Sequence, residues 1–244
     1  MSQGQTTRTA RVATVVVVLA ALLGACDAAP APTPSSTGTR VAGEESDVRT
    51  RLADALATDR PDLARLLTDD SVTLTPVPTP WLPGRQILDV LADTGSHPVR
   101  FYVALSDEGD AVVLTRDADA FVGLLADADV RVPDEQTAVD VVDTYLDATR
   151  SFQVWSQRVG SLDEVELLPT LDAEQQAAWD AVVADLGADV APTRAASRGD
   201  GFDVVAWVAD GDTLVRHDVR VTEDGGLSDR TTVLATGLPV PVSP

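Results

Sequence analysis

The fold class follows from one C-terminal stretch, Phe202–Ala235, which reads FDVVAWVADGDTLVRHDVRVTEDGGLSDRTTVLA. Its first part is apolar almost throughout, which is typical of a central strand covered on both faces. Two turn signals, Asp210–Asp212 and Asp224–Gly225, divide the stretch into three strands of an antiparallel meander. With a two-residue turn at the second signal, Arg220 is expected to lie opposite Asp229.

Two longer helices are predicted before this meander. Asp134 follows a proline and is a good N-cap for a helix that runs to about Arg150. Its apolar and aspartate residues fall on opposite stripes, as in a helix with one buried side. Asp172 and Gln175 have the spacing of a capping box for a second helix, which Gly187 closes. The residues that this helix is expected to bury are Trp179, Val182, Val183 and Leu186.

The segment before these helices carries shorter elements. Ser46 is expected to cap a first helix, and another short helix is predicted through Ile87, Leu88 and Leu91. A hairpin and a helix around Phe121 follow. We therefore expect an N-terminal α/β lobe over residues 45–131 and a C-terminal helix-helix-meander lobe over residues 132–244, with a single domain over 45–244 as the alternative. The predicted fold class is α+β, with helices packed on an antiparallel β-meander.

The order of elements in the C-terminal half resembles that of the cystatin-like and nuclear-transport-factor-like cone folds. This resemblance covers Asp134–Thr236 and rests on element order, since no motif supports it. It implies that a ligand would be held on the concave face of the sheet. His217, which shares a strand face with three valines, would then lie at the base of a pocket. We take His217 and Trp207 as candidate ligand-binding residues, with a buried structural histidine as the alternative at His217.

The N-terminus contains the only cysteine of the chain. Arg8 and Arg11 precede the uncharged run Val12–Leu23, which has the charge and length of a secretory signal. The residues LGAC that end at Cys26 resemble the bacterial lipobox. The alternatives are an ordinary secretory signal with an incidental cysteine and a short membrane anchor.

The lipobox resemblance implies a prolipoprotein that is cleaved before Cys26. Residues 1–25 would be a signal peptide, and Cys26 would carry a diacylglyceryl group and often an amide-linked acyl chain such as palmitate. Residues 26–44, rich in proline, serine and threonine, would be a disordered linker. The expected location is the outer face of the cell membrane, where two or more acyl chains make anchoring stable.

The composition limits the classes of partner. The formal charge is −21, all 18 basic residues are arginine, and the chain has no lysine or asparagine and one isoleucine. This bias is typical of a GC-rich genome such as that of an actinobacterium, with adaptation to high salt as the alternative. Such a polyanion repels nucleic acid, so nucleic-acid binding is excluded. A cationic partner, a divalent ion and a neutral ligand remain open.

Few residues suggest chemistry. His97 and His217 are the only histidines, and neither has a partner at metal-ligand spacing, so no metal site and no cofactor are predicted. The repeated pair Asp117/Asp119 and Asp127/Asp129 lacks the glycine and glutamate of a calcium-binding loop and fits helix caps better. With Cys26 lipidated, cysteine chemistry is also excluded. The adhesion-like tripeptide Arg198–Asp200 is interpreted as coincidence.

These observations favour a membrane-anchored extracytoplasmic lipoprotein with a non-catalytic binding or interaction module. Its partner would be an envelope protein or a small ligand. The alternatives are a carboxylate-dependent hydrolase of the envelope and a calcium-dependent adhesion or scaffold module. No catalytic residue is predicted.

Overall fold

The structure, a computed structural model, describes residues 38–241 except positions 70, 94, 96 and 97, and leaves the side chains of residues 38–44 undescribed. Gly38–Pro244 forms one compact unit. Within the described residues there are five α-helices and two antiparallel sheets, which confirms the α+β prediction. Cys26, the predicted signal peptide and His97 lie outside the described residues. Among the helices described, none combines the length and apolar character needed to cross a bilayer.

The first sheet is built from consecutive antiparallel strands in the order β1-β2-β3-β4. The strands span Val72–Val77 (β1), Arg85–Ala92 (β2), Val99–Ser106 (β3) and Ala111–Val113 (β4). Helices α1 (Gly38–Leu56) and α2 (Pro61–Leu66) cover one of its faces. The helices contribute Leu52, Leu56 and Leu63 to this contact, with Leu67 just beyond α2, and the strands contribute Leu88, Val90, Phe101, Val103 and Leu105.

Two predictions for this part of the chain are wrong. Ser46 lies inside α1 and is not its cap. The helix begins earlier, at Gly38, and Glu45, just before Ser46, forms an i,i+4 ion pair with Arg49 at 3.1 Å. The segment through Ile87 is strand β2 and not a helix. Both faces of β2 are buried, with Ile87 and Leu88 in different core clusters, so its apolar residues lack the alternation that reveals a half-exposed strand.

The second sheet contains the predicted meander. Its strands are β5 (Ser156–Arg158), β6 (Arg194–Arg198), β7 (Gly201–Asp210), β8 (Thr213–Thr222) and β9 (Leu227–Thr236). Strands β7, β8 and β9 pair in sequence, and β7 is buried on both faces, so these predictions are confirmed. The short strands β5 and β6, which the sequence did not predict, pair with successive parts of the other edge of β7.

The predicted register between β8 and β9 is wrong by one residue. Arg220 lies opposite Ser228, and Asp229 lies opposite Val219. The connecting loop has three residues, because the Thr222 amide donates to the carbonyl of Gly226 at 2.8 Å. Gly225 has φ +86°, the left-handed residue that ends such a loop. A shift of one residue exchanges the two faces of a strand, so Asp229 faces the side of the sheet opposite to the predicted one.

Two helices lie between the two sheets. Helix α3 (Ala118–Asp127) and helix α4 (Glu135–Thr149) begin at the predicted aspartate caps, where Asp117 accepts from Ala120 N and Asp134 from Thr137 N, each at 2.8 Å. The largest core cluster surrounds these helices and joins the predicted lobes. It combines Ile87, Tyr102 and Ala104 of the first sheet with Phe121, Leu124, Leu125, Val141 and Val142 of the helices and Phe202, Val204, Ala206, Val219 and Val221 of the second sheet.

The last helix, α5 (Ala173–Leu186), belongs to the layer on the outer face of the second sheet. Asp172 and Gln175 form the predicted capping box, and Gly187 is the C-cap. Trp179 is its buried residue, whereas Val183 is 38% exposed, so the predicted burial of Val183 is wrong. Because the helix lies at the surface of the molecule, a narrow contact stripe is sufficient to hold it.

Replacing Phe121 by alanine should destabilise the whole unit, because its fully buried ring contacts residues from both halves of the chain. The ring centroid lies 6.5 Å from that of Trp81 and 5.5 Å from that of Tyr145. We expect a loss of about 3–5 kcal/mol in the free energy of unfolding, the usual cost of removing a core aromatic ring. Urea denaturation followed by circular dichroism and by tryptophan fluorescence gives this value.

The matched control for this experiment is Val233→Ala, at a side chain that is 57% exposed. It should change the free energy of unfolding by less than about 0.5 kcal/mol. Both optical probes should report one transition in the wild-type protein, because α3 and α4 are packed against both sheets. Two separated transitions would contradict a shared core.

Candidate functional site

The most distinctive polar contact in the structure joins His217 on β8 to Asp229 on β9. Histidine Nδ1 lies 2.7 Å from Asp229 Oδ2, and the two side chains are only 15% and 12% exposed. An ionised carboxylate only accepts hydrogen bonds, so Nδ1 carries the shared proton. In the neutral ring Nε2 is then an acceptor. The carboxylate thus fixes both the orientation and the tautomer of the histidine.

Tyr145 of α4 completes this cluster. Burial raises the pKa of its phenol, and the negative charge of Asp229 raises it further, to about 12. Tyr145 is 8% exposed, and it therefore remains a neutral hydrogen-bond donor across the physiological pH range. Asp229 Oδ1 is buried without a hydrogen-bond partner among the described residues. The Tyr145 phenol, the Asp229 carboxylate and the His217 imidazole therefore lie together in a region that is largely shielded from solvent.

A pocket of ≈ 360 Å³ opens beside this cluster. Its size is that of a small-molecule site, and its lining mixes apolar and polar groups. The end of α4 and the following residues form one wall, and the faces of β7, β8 and β9 that lie opposite to Trp207 form the other. The lining includes Tyr145, Thr149 and Arg150 on the first wall and Val208, Val215, His217, Thr231 and Val233 on the second.

The two candidate ligand-binding residues are not brought together. His217 is opposite Ala206 in the β7–β8 pair, whereas Trp207 is opposite Arg216, so the two side chains lie on opposite faces of the sheet. Trp207 is 2% exposed in the outer core cluster. The guanidinium of Arg194 lies 4.9 Å from its ring centroid, as in a cation–π contact. Trp207 therefore has no contact with the His217 pocket.

The acidic pairs have structural roles where the structure describes them. Asp117 caps α3, and Asp129 ends the turn after α3 with φ 49°. Within residues 38–241, apart from the four undescribed positions, no group of three histidine, cysteine or carboxylate side chains could hold a metal ion. The tripeptide Arg198–Asp200 forms the β6–β7 turn, with Gly199 at φ +58°.

Sequence reasoning missed two members of the cluster. Tyr145 belongs to the apolar stripe of α4, a position that by itself indicates only a core residue, and Asp229 was expected to lie opposite Arg220. The pairing of His217 with Asp229 depends on the length of the β8–β9 loop, and the sequence contains no direct signal for it. Comparison with protein-family models, curated proteins and solved structures found no match.

Asp229→Asn should lower the pKa of Tyr145, because it removes the negative charge that disfavours tyrosinate. The chain has two tyrosines, so the near-ultraviolet absorbance of tyrosinate can be assigned with Tyr145→Phe, which leaves only Tyr102. In the wild-type protein Tyr145 should ionise at about pH 12. A transition at the same pH in Asp229→Asn would show that the carboxylate does not act on the phenol.

The same shift makes the fold sensitive to alkali. An unfolded tyrosine loses its proton near pH 10, whereas folded Tyr145 keeps it up to about pH 12. The folded state therefore binds more protons in this window, and the free energy of unfolding falls as pH rises through it.

Proposed function

We propose that this protein is a binding module anchored by lipid to the outer face of a bacterial cell membrane, and that a small ligand binds in the pocket beside His217. The observation that carries the proposal is that His217 and Tyr145 both line a pocket of ≈ 360 Å³, while Asp229 holds the His217 ring through Nδ1. The residues LGAC, at the end of an uncharged run that follows two arginines, support the lipid anchor at Cys26.

The pocket is suited to a neutral or weakly polar ligand. Its polar groups include the Tyr145 phenol and the Nε2 atom of His217, which is not used in the contact with Asp229. Valine side chains on the strands supply apolar contact area. A few well-placed polar groups in a mainly apolar cleft give orientation and specificity to small-molecule binding.

A general acid–base enzyme of the envelope is the second candidate, because Asp229 orients His217 as a carboxylate orients a catalytic base. Tyr145 would be the proton donor beside it. A two-carboxylate hydrolase is less well supported, since Asp210 is the one carboxylate among the residues described around this pocket. Recovery of a bound ligand unchanged after prolonged incubation favours binding, and conversion of the ligand favours catalysis.

Cys26→Ala should abolish lipid attachment and release the protein from the membrane fraction or leave uncleaved precursor. Two or more acyl chains, at about 0.8 kcal/mol per buried methylene, hold a lipoprotein stably, whereas the unlipidated chain lacks this anchor. Labelling with palmitate and mass spectrometry of the mature N-terminus give the result. Ser35→Ala in the predicted linker is the control and should be lipidated normally. A lipidated Cys26→Ala protein, or a mature N-terminus at another residue, would refute the anchor.

His217→Gln should weaken ligand binding in the pocket by roughly tenfold, because the ligand loses one buried hydrogen bond to the oriented imidazole ring. Ligands can be found by screening neutral envelope metabolites for shifts of the histidine ring signals in NMR spectra. The two histidines are assigned with His217→Gln and with the matched control His97→Gln. Ligands that bind equally well to His217→Gln and leave the His217 signal unmoved would refute this pocket as the binding site.

A further inference from the structure

The outer face of the second sheet concentrates positive charge in a strongly acidic protein. Five of the 18 arginines project from this face, which is the side opposite to His217. They are Arg194 and Arg198 on β6, Arg216 and Arg220 on β8, and Arg230 on β9. Three aspartates accompany them, namely Asp200, Asp203 and Asp218. The face therefore carries an excess of two positive charges, whereas the whole chain has a formal charge of −21.

The strand registers place these side chains around one depression. Asp218 is opposite Val205 on one side and Arg230 on the other, and Arg220 is opposite Asp203 and Ser228. Directly opposite residues in antiparallel strands share a face. Together they border a depression of ≈ 580 Å³, which we call the arginine trough. Its cationic lining consists of Arg198, Arg216, Arg220 and Arg230.

The carboxylates of the trough use only part of the available donors. Arg198 binds Asp203 at 2.8 Å and Arg216 binds Asp218 at 2.6 Å. Each guanidinium has five N–H donors, and Arg216 Nε is buried without a hydrogen-bond partner in the described part of the chain. Arg220 Nη1 is also buried and has only a long contact of 3.5 Å with Asp203 Oδ1. Arg230 is exposed and forms no ion pair with any described residue. The trough thus has more donors than its own carboxylates satisfy.

We propose that the arginine trough is a binding site for the phosphate group of a small ligand. The outer face as a whole has two more arginines than aspartates, although Arg194 lies outside the trough. A phosphate monoester, which carries nearly two negative charges at neutral pH, therefore meets a locally positive surface there. Its three acceptor oxygens can contact more than one guanidinium fork at the same time. The arginine side chains of the trough lie on the face of the sheet opposite to the His217 pocket, and Asp229, which binds His217, also borders the trough.

A carboxylate is a poorer ligand for this trough. It would bring one negative charge and two oxygens, which is what Asp203 and Asp218 already provide to the same arginines. A phosphate group can bind Arg230 and a neighbouring arginine while the existing ion pairs remain, so it adds contacts and does not only replace them.

The surroundings of the trough limit the size of the ligand. The rest of the chain is strongly negative and repels extended polyanions over distances up to a Debye length, about 10 Å at 0.1 M salt. A compact phosphate group avoids this repulsion, because its contacts are short and lie within the trough. The trough therefore does not contradict the exclusion of nucleic acid.

The test is an NMR titration of the full chain in detergent, with the arginine Nε–H signals observed at constant ionic strength. Inorganic phosphate is the probe, and malonate, a dicarboxylate of similar charge, is the comparison. Phosphate should shift the Arg230 and Arg216 signals saturably, and Arg230→Gln should weaken its binding roughly tenfold. Arg60→Gln, at an exposed ion pair beside α2, is the matched control and should bind phosphate as the wild type does.

Three results would overturn the proposal. Shifts that do not saturate would show that phosphate binds no defined site. If Arg230→Gln and Arg60→Gln weaken phosphate binding equally, the loss comes from the change in net charge and not from a defined contact with Arg230. Malonate that binds as tightly as phosphate would refute the phosphate assignment. Circular dichroism and melting curves of Arg230→Gln show whether the fold is kept. If this exposed substitution disturbs the fold, Ser228→Asp, which adds a negative charge to the same trough, should weaken phosphate binding instead.

Discussion

The register between β8 and β9 is the constraint on which both polar regions depend. The three-residue loop places Asp229 opposite Val219, and therefore on the same face as His217. Ser228 and Arg230 then face the arginine trough. With the two-residue loop that the sequence predicts, every side chain of this part of β9 would change face. Arg230 would then point towards His217, and Asp229 would join the arginines.

The loop that sets this register is held from two sides. The Val132 amide donates to the carbonyl of Glu223 at 2.9 Å, which ties the loop to the segment before α4. The Glu223 amide donates to the carbonyl of Asp200 at 3.0 Å, which ties it to the β6–β7 turn. A Cβ on Gly225 would lie 3.0 Å from the carbonyl oxygen of Val130, so the positive φ and the close approach both require glycine. The central helical layer therefore helps to position the strands that carry the site.

The sequence predicted elements whose signals are local. Caps at Asp117, Asp134 and Asp172 mark their helices correctly, because the capping hydrogen bond is made within a few residues. The alternation of turns and strands likewise reveals the meander. Strand β2 was missed because the two core clusters on either side of the first sheet bury both of its faces, a property of the tertiary structure.

The candidate site was predictable only in part. His217 was identified from its place on a strand face, and its burial against α4 agrees with the expected inward orientation. Asp229 and Tyr145 come from two other elements, so their approach to His217 depends on loop length and helix packing. Trp207 was chosen as a large aromatic residue in the meander, but alternation along β7 places it on the opposite face from His217. The alternation of side chains along a strand was therefore enough to predict that Trp207 and His217 lie on opposite faces.

The restriction of the basic residues to arginine has a physical consequence for the trough. A guanidinium stays protonated in any protein environment, and its planar fork can hold one carboxylate and still present other donors to a ligand. Arg216 binds Asp218 through Nη2 alone, which leaves its remaining N–H groups unused by that pair. A lysine ammonium would satisfy the aspartate as a single point charge and offer no fixed second direction. The aspartates that lower the net charge of the trough therefore also orient its arginines. Because the guanidinium groups are held in place, a compact anion can make short contacts with them on a surface that otherwise repels anions.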